Sequence, residues 1–181
     1  MKIAINGFGR IGRLVYRLMK EDDFFDVVAI NDLSSSEELA YLLRYDTNHR
    51  TYDKDITFDE EGIIVDGKKT RVYSEMDPSN LPWGELGIDL VFECTGKFTK
   101  KEDANKHILA GAKKVLISAP GKGDMKTVVY NVNDDILTSD DVIVSAASCT
   151  TNCLAPIVKV LDDNFGIERG FMTTIHAYTN D

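Results

Sequence analysis

Cys149 has the sequence context of a reactive thiol. It follows a strand-like segment, residues 142–147, and lies in the run Ser148-Cys149-Thr150-Thr151-Asn152-Cys153, which opens a helix-like segment. The first backbone N–H groups of a helix have no partner within the helix, and the positive end of the helix dipole lies there. Both effects favour thiolate over thiol. We therefore expect Cys149 to act as a nucleophile.

Other interpretations of the cysteines stay open at this point. Cys149 and Cys153 share a helix face, so they could form a redox pair. They could ligate zinc only if folding brought in His176 or Cys94, and we expect no metal site. Cys149 could also be inert. His176, near the end of a predicted strand, could be the base for Cys149, although a lone strand histidine is more often structural.

A glycine-rich run near the N-terminus predicts a dinucleotide site. Gly7, Gly9 and Gly12 follow a buried strand and open a helix, the spacing that brings backbone amides to a pyrophosphate. Asp32 ends the next strand, where a carboxylate can accept from an adenine-ribose hydroxyl. That carboxylate would repel the 2′-phosphate of NADP, and no Arg or Lys lies between Asp32 and Glu38. NAD is therefore the expected cofactor.

The elements that position these residues indicate an α/β fold. A Rossmann-like, mainly parallel sheet with flanking helices is predicted from alternating strands and helices. Three short strands joined by an Asp66-Gly67 turn would form an antiparallel insertion. The predicted strands are 2–6, 27–31, 56–58, 62–65, 70–73, 90–94, 115–118, 128–132, 142–147 and 170–176. The first predicted helix begins within the glycine run. The second begins at Ser35 or Ser36 and ends at Arg44, and two more span residues 100–110 and 149–165.

Composition excludes several classes of protein. The net charge of −9 over 181 residues argues against nucleic acid and anionic membranes as partners. Three cysteines, an odd number, argue against a secreted disulfide scaffold. No apolar run approaches the roughly 20 residues of a membrane-spanning helix, and the N-terminus lacks a signal-peptide pattern. We expect a cytoplasmic protein.

Taken together, these motifs resemble those of glyceraldehyde-3-phosphate dehydrogenase, the NAD-dependent phosphorylating family, over the whole chain. The motifs that carry the resemblance are Ile5-Asn6-Gly7-Phe8-Gly9-Arg10-Ile11-Gly12-Arg13, Asn31-Asp32-Leu33, Glu93-Cys94-Thr95-Gly96, Ser118-Ala119-Pro120, Ser148-Cys149-Thr150-Thr151-Asn152-Cys153 and His176-Ala177-Tyr178-Thr179. Met76 and Arg50 depart from it, because many relatives have Arg and Gly at those positions.

The resemblance implies a role for each matching residue. Cys149 would be the nucleophile and His176 its base and acid partner. Ser148 and Thr150 would help to hold the attacking phosphate, and Thr179 the phosphate of the substrate. The residues implied in NAD binding are Gly7, Gly9, Arg10, Ile11, Gly12, Asp32, Met76, Thr95, Gly96, Phe98 and Ser118.

The resemblance further implies an oxidoreductase of glycolysis that converts D-glyceraldehyde 3-phosphate, NAD and inorganic phosphate to 1,3-bisphosphoglycerate. Relatives are nearly twice as long, so we expect an NAD-binding domain at residues 1–148. Residues 149–181 would be the first helix and strand of a truncated α+β catalytic domain. The full-length parent would be a homotetramer, and this chain alone would be inactive. The alternatives are an erythrose-4-phosphate dehydrogenase, a stand-alone NAD-binding fragment and a thiol redox protein.

Overall fold

The chain forms eight strands and five α-helices within residues 1–177, the part that this computed structural model describes. The strands are β1 (Lys2–Asn6), β2 (Asp26–Asn31), β3 (Ile56–Asp59), β4 (Gly62–Val65), β5 (Lys68–Tyr73), β6 (Leu90–Glu93), β7 (Lys114–Ile117) and β8 (Ile143–Ser145). The helices are α1 (Arg10–Lys20), α2 (Ser36–Arg44), α3 (Trp83–Leu86), α4 (Lys101–Leu109) and α5 (Cys149–Phe165).

One mainly parallel sheet carries the fold, in the order β3-β4-β5-β2-β1-β6-β7-β8. Strand β1 lies between β2 and β6 and is parallel to both. Its consecutive apolar residues are buried on both faces of the sheet, as expected for a central parallel strand. Ile3 and Ile5 pack with residues of α1 and α2, whereas Ala4 packs with Trp83 and α4. The predicted Rossmann-like α/β class is confirmed.

The predicted antiparallel insertion is part of this same sheet. Strands β3, β4 and β5 pair antiparallel with one another, and β5 also pairs parallel with β2. The Asp66-Gly67 turn closes the β4–β5 hairpin with both residues at positive φ, 49° and 77°. Positive φ at both central positions matches the right-handed twist of the flanking strands. The insertion therefore widens the sheet by adding β3 and β4 beside β5.

Local capping sets the start of α2. The Ser35 Oγ accepts from the Glu38 N–H at 3.3 Å, and the Glu38 Oε2 accepts from the Ser35 N–H at 3.1 Å. This reciprocal pair satisfies two donors that the helix itself leaves free. The predicted start and the predicted end at Arg44 are both confirmed.

The strand predicted at residues 128–132 is wrong. Thr127 makes a single bridge to Ser145, and the chain then turns, with Asn131 at φ 58°. The Asn133 side chain accepts from the Val129 N–H at 2.8 Å and donates to the Thr127 carbonyl at 3.0 Å. A side chain that bonds nearby backbone in this way competes with a strand ladder.

The strand predicted at residues 170–176 is also wrong over the residues that are described. Residues 168–177 form no helix or strand, and Phe171 and Ile175 are fully exposed. No strand of residues 1–177 pairs with this segment. The preceding helix, α5, has the predicted bounds but no buried residue. None of the helices in the described part of the chain is long and apolar enough to cross a membrane.

Candidate functional site

A cleft of about 370 Å³ opens where β1, β2 and β6 end. The chain crosses from β1 to β2 on one side and later reaches β6 on the other, so β1 marks a topological switch point. Open α/β sheets bind ligands at that point, outside the carboxyl ends of the strands. The cleft is lined by Asn6, Gly7, Gly9, Asn31, Asp32, Leu33, Glu75, Met76, Cys94, Thr95, Lys97 and Phe98.

The three glycines of the fingerprint have different surroundings. A Cβ on Gly12 would lie 2.1 Å from the Gly7 carbonyl oxygen, so this position brings α1 against the end of β1. Gly7 has φ +89°, and a Cβ there would meet Thr95 at 2.8 Å. A Cβ on Gly9 would have no heavy atom within 4 Å. The space beside Gly9 is therefore open on the side from which a ligand can approach the start of α1.

Asp32 is held at the rim of the cleft by backbone amides. Its Oδ2 accepts from the Phe8 N–H at 2.7 Å, and its Oδ1 accepts from the Ser34 N–H at 3.0 Å. These bonds fix the carboxylate orientation and leave lone pairs for a further donor. The geometry ties the glycine turn to the end of β2, which is where a ribose hydroxyl would be bound.

The structure brings together most of the predicted cofactor residues. Gly7, Gly9, Asp32, Met76, Thr95 and Phe98 line the cleft. Arg10, Ile11 and Gly12 form the first turn of α1 beside it, and Gly96 lies between Thr95 and Phe98. Ser118 does not line the cleft; it follows β7, and its N–H donates to the Glu93 carbonyl at 3.0 Å.

Cys94 lines the cleft as a partly buried thiol. Burial raises its pKa to about 12, against a smaller opposing effect from a hydrogen bond with Ser118, while the Glu93 charge adds to the rise. A thiol with so high a pKa stays neutral near pH 7 and is a poor nucleophile. Cys94 therefore contributes shape to this wall of the cleft.

Sequence analysis missed a set of polar side chains beneath the cleft. Glu93 and His107 are almost completely buried, as are Asn6 and Asn31. His107 follows Lys106 on α4 and has charged neighbours in the sequence, yet its imidazole is 0% exposed. Their positions in the sequence could have indicated this set, because Asn6, Asn31 and Glu93 are each the last residue of a buried parallel strand. The carboxyl ends of parallel strands lie on the same side of a sheet.

Cys149 is the first residue of α5 and is exposed. The helix is capped by Ser148, whose Oγ accepts from the Thr151 N–H at 3.0 Å. The N–H groups of Cys149 and Thr150 have no acceptor within residues 1–177. The turn from β8 into α5 passes through Ala147 at φ 62°, an uncommon conformation for a residue other than glycine. The helix start therefore presents the thiol together with free backbone donors.

His176 lies near the start of α5. Its Nε2 is 3.3 Å from the Thr150 Oγ1 and 2.7 Å from the Thr174 Oγ1. No hydrogen bond joins His176 to the Cys149 thiol in the described part of the chain. The structure thus places the predicted base next to the residue that follows the predicted nucleophile, and its side chain is exposed.

Further observations concern the same region. Cys153 is exposed, one turn along α5 from Cys149, and both thiols are free. Among residues 1–177, no group of three His, Cys, Asp or Glu side chains is placed to hold a metal ion. The predicted phosphate ligand Thr179 lies outside the described residues.

The cleft and Cys149 both lie at the carboxyl ends of the parallel strands. Strand β1, at the cleft, and β8, before Cys149, are separated by β6 and β7. Adjacent strands are about 4.8 Å apart, so this separation is roughly 14 Å. An extended dinucleotide that begins at the glycine turn can reach across such a distance towards the start of α5.

Comparisons with known proteins match both parts of the chain to one family. Residues 1–101 match the family model described as glyceraldehyde 3-phosphate dehydrogenase, NAD binding domain, and residues 148–181 match that of the C-terminal domain. The chain is 58% identical over 180 residues to glyceraldehyde-3-phosphate dehydrogenase of Clostridium pasteurianum, covering 99% of this chain and 54% of that protein. It is 57% identical over 182 residues to glyceraldehyde-3-phosphate dehydrogenase 2 of Bacillus subtilis, covering 100% and 54%. The chain spans about half the length of the curated relatives it matches.

Proposed function

Because the chain belongs to the glyceraldehyde-3-phosphate dehydrogenase family, we propose that it is the N-terminal part of an NAD-dependent phosphorylating dehydrogenase of glycolysis. The full protein oxidises D-glyceraldehyde 3-phosphate and phosphorylates it with inorganic phosphate to 1,3-bisphosphoglycerate. Residues 1–148 form the NAD-binding domain, and residues 149–181 begin the catalytic domain. The full-length protein works as a cytoplasmic homotetramer.

The observation that carries this proposal is the position of Cys149. An exposed thiol with free backbone donors lies at the carboxyl ends of the parallel strands, as does the dinucleotide cleft. A nucleophile at that place can present a bound aldehyde to a cofactor lying in the cleft. This arrangement favours covalent catalysis, in which one difficult step is divided into two.

The residues of the cleft fit NAD, the cofactor of this family's first domain. The open space beside Gly9 leaves room for a pyrophosphate at the start of α1, where unsatisfied N–H groups point outward. Asp32 can accept from ribose hydroxyls, and Met76 and Phe98 supply apolar surface for a ring. When bound, NAD supplies the hydride acceptor of the reaction.

The first half of the proposed mechanism takes place on Cys149. The thiolate attacks the aldehyde carbon and forms a thiohemiacetal. The Cys149 N–H, at the start of α5, donates to the developing oxyanion; such a donor is typically worth about 2.7–4 kcal/mol. His176, protonated beside the thiolate, gives its proton to this oxygen and takes it back as the thiohemiacetal is oxidised to a thioester.

The second half releases the product from Cys149. Inorganic phosphate, held by Ser148 and Thr150, attacks the thioester carbon, and the acyl phosphate leaves as the thiolate is restored. Thr179 binds the phosphate of the substrate. The Ser148 hydroxyl accepts from the Thr151 N–H as the cap of α5 and lies 2.8 Å from the Thr151 hydroxyl. Its proton can point to phosphate when the Thr151 hydroxyl is the donor of that pair.

Two cysteine variants of the full-length protein test the covalent role. Cys149→Ser should abolish turnover and leave NAD affinity within about two-fold, because it keeps the cleft intact. Cys153→Ser, one helical turn further along, is the matched control and should retain turnover. Substantial dehydrogenase activity in Cys149→Ser, measured as NADH formation, would rule out a covalent intermediate on Cys149.

One structural observation favours a second function for the chain by itself. Helix α5 buries no residue, and residues 168–177 form no helix or strand. The 181-residue chain alone is then an NAD-binding fragment without turnover. Calorimetry with NAD, combined with an NADH assay on the same sample, distinguishes this case. For the full protein, kcat/KM for glyceraldehyde 3-phosphate and erythrose 4-phosphate separates the two family activities.

A further inference from the structure

A buried line of hydrogen bonds connects Trp83 to both walls of the cofactor cleft. Trp83 Nε1 donates to His107 Nδ1 at 3.0 Å, and His107 Nε2 lies 3.0 Å from Glu93 Oε2. Glu93 Oε1 accepts from the N–H of Thr95 at 2.8 Å and from the Thr95 hydroxyl. Thr95 belongs to the wall that follows β6. His107 thus reaches one wall of the cleft through a single carboxylate.

The same carboxylate reaches the opposite wall through two asparagines. Asn6 Nδ2 donates to Glu93 Oε2 at 2.6 Å, and Asn31 Nδ2 donates to Asn6 Oδ1 at 2.7 Å. The Asn31 side chain also accepts from the Glu75 N–H at 2.8 Å and donates to the Glu75 carbonyl at 2.9 Å. Glu75 lies beside Met76 on the cleft. Among the side chains of this line, the Glu93 carboxylate is therefore bonded towards both walls.

The direction of every bond in this line is fixed by its ends. An indole N–H can only donate, so His107 Nδ1 must accept, and the neutral imidazole carries its proton on Nε2. At the other end, the Glu75 N–H can only donate, which fixes the orientation of both asparagine amides. The 3.4 Å approach of Asn6 Nδ2 to His107 Nε2 joins two donors that share Glu93 Oε2 and is not a hydrogen bond. His107 therefore donates to Glu93.

Glu93 has no cationic partner to compensate for its burial. Its side chain is 0% exposed, and no Lys or Arg among residues 1–177 forms an ion pair with it. Its carboxylate is satisfied by the N–H and hydroxyl of Thr95, by Asn6 and by His107. A buried charged acceptor that loses one of these donors must find another, and the nearest groups able to move are those of the cleft walls.

We propose that His107 is a positioning residue of the cofactor cleft, which holds the Glu93 carboxylate so that the Thr95 wall and the Glu75 wall stand at the spacing that NAD requires. The proposal rests on NAD binding in this cleft. It assigns to a fully buried side chain on α4 an effect on cofactor affinity without contact with the cofactor.

The first test observes the histidine rings of the original chain. The chain has three histidines, so ¹⁵N-histidine labelling gives few signals, and His107→Gln assigns the buried one. We expect a neutral His107 ring with its proton on Nε2, because Nδ1 accepts from the Trp83 N–H. A protonated ring, or a neutral ring with its proton on Nδ1, would overturn the proposal.

The second test measures NAD affinity by calorimetry on folded variants. His107→Leu removes the donor to Glu93 and should weaken NAD binding about ten-fold. His107→Gln keeps an N–H for Glu93 and should remain within about three-fold of the original chain. Ile63→Ala, in β4 and away from the cleft, controls for loss of core packing and should not change affinity. Equal affinities for His107→Leu and the original chain would overturn the positioning role.

Two further outcomes remain decisive. If His107→Leu does not fold, Trp83→Phe replaces it, because loss of the indole N–H frees His107 Nδ1 to carry the proton. Amide exchange at Thr95 and Glu75 should then accelerate and NAD binding should weaken; unchanged values in that variant overturn the proposal. If the original chain binds no NAD, the cofactor role itself fails, a result distinct from failure of the positioning role.

Discussion

Substitution of Gly12 and Gly9 by alanine should separate stability from cofactor binding. A Cβ on Gly12 would lie 2.1 Å from the Gly7 carbonyl oxygen and 3.2 Å from the Ile5 side chain. Non-bonded carbon atoms are best about 3.5–4.0 Å apart, so the start of α1 would have to move by roughly 1 Å or more. Overpacking typically costs about 1–3 kcal/mol, against a gain of about 1 kcal/mol in helix propensity. The clash involves backbone, so we expect Gly12→Ala to lower the free energy of unfolding by about 2 kcal/mol.

Gly9→Ala provides the matched control at the same turn. A Cβ there meets nothing within 4 Å, and the residue has φ −72°, which alanine adopts freely. We expect its free energy of unfolding to change by about 0.5 kcal/mol or less. The new methyl group occupies the space proposed for pyrophosphate, so NAD affinity should fall about ten-fold or more.

Both quantities can be measured on the same samples. Trp83 is the only tryptophan of the chain and is buried, so its fluorescence in a urea series follows unfolding. Calorimetry gives the affinity for NAD. Two results would refute the reasoning: a Gly12→Ala chain as stable as the original, or a Gly9→Ala chain that binds NAD with unchanged affinity.

Three further changes have defined outcomes. Arg50 has φ 62°, so Arg50→Gly should raise the free energy of unfolding by up to about 1 kcal/mol in chemical denaturation, whereas Arg50→Ala should not, since it keeps the strained backbone. Iodoacetamide at pH 8 should label Cys149 and Cys153 but not Cys94, whose pKa is raised by burial to about 12; mass spectrometry should show a third adduct only in urea. Because the folded-state pKa of Cys94 lies above its ordinary value of 9.0, its contribution to stability is complete below about pH 9 and is lost as the pH rises towards 12. Ser35→Ala removes the cap of α2 and should lower the free energy of unfolding by about 1 kcal/mol, with no change in NAD affinity by calorimetry.

Local sequence signals predicted the elements whose ends are set by short-range bonds. The start of α2 follows from Ser35 and Glu38, three residues apart, and the end of α5 from Gly166 at φ 71°. The central strand β1 follows from three consecutive apolar residues. These features depend on residues that are neighbours in the chain, so a single sequence contains enough information to locate them.

The predictions that failed concern residues whose structure depends on partners distant in the sequence or on side-chain hydrogen bonds to the backbone. Residues 170–176 have the composition of a strand, but a strand also needs a partner strand to pair with. The sequence of a segment does not show whether such a partner is present. The burial of His107 could not be predicted because its partners, Trp83 and Glu93, lie 24 and 14 residues away. The Asn133 side chain accepts a hydrogen bond from the Val129 N–H, and the chain forms a turn there in place of the predicted strand. The cofactor turn could be predicted, whereas the buried support beneath it could not.

The central position of β1 has a consequence for synthesis on the ribosome. Strand β1 can pair with β2 soon after both are made, but its other neighbour, β6, is joined to it by pairs such as Ile3 with Leu90, 87 residues apart. At about 5–20 residues per second, that edge of β1 waits roughly 4–17 s for its partner. An unpaired apolar strand edge is open to association with other chains during that time. We therefore expect the nascent chain to be most prone to aggregation, and most dependent on chaperones, before residue 93 has been made.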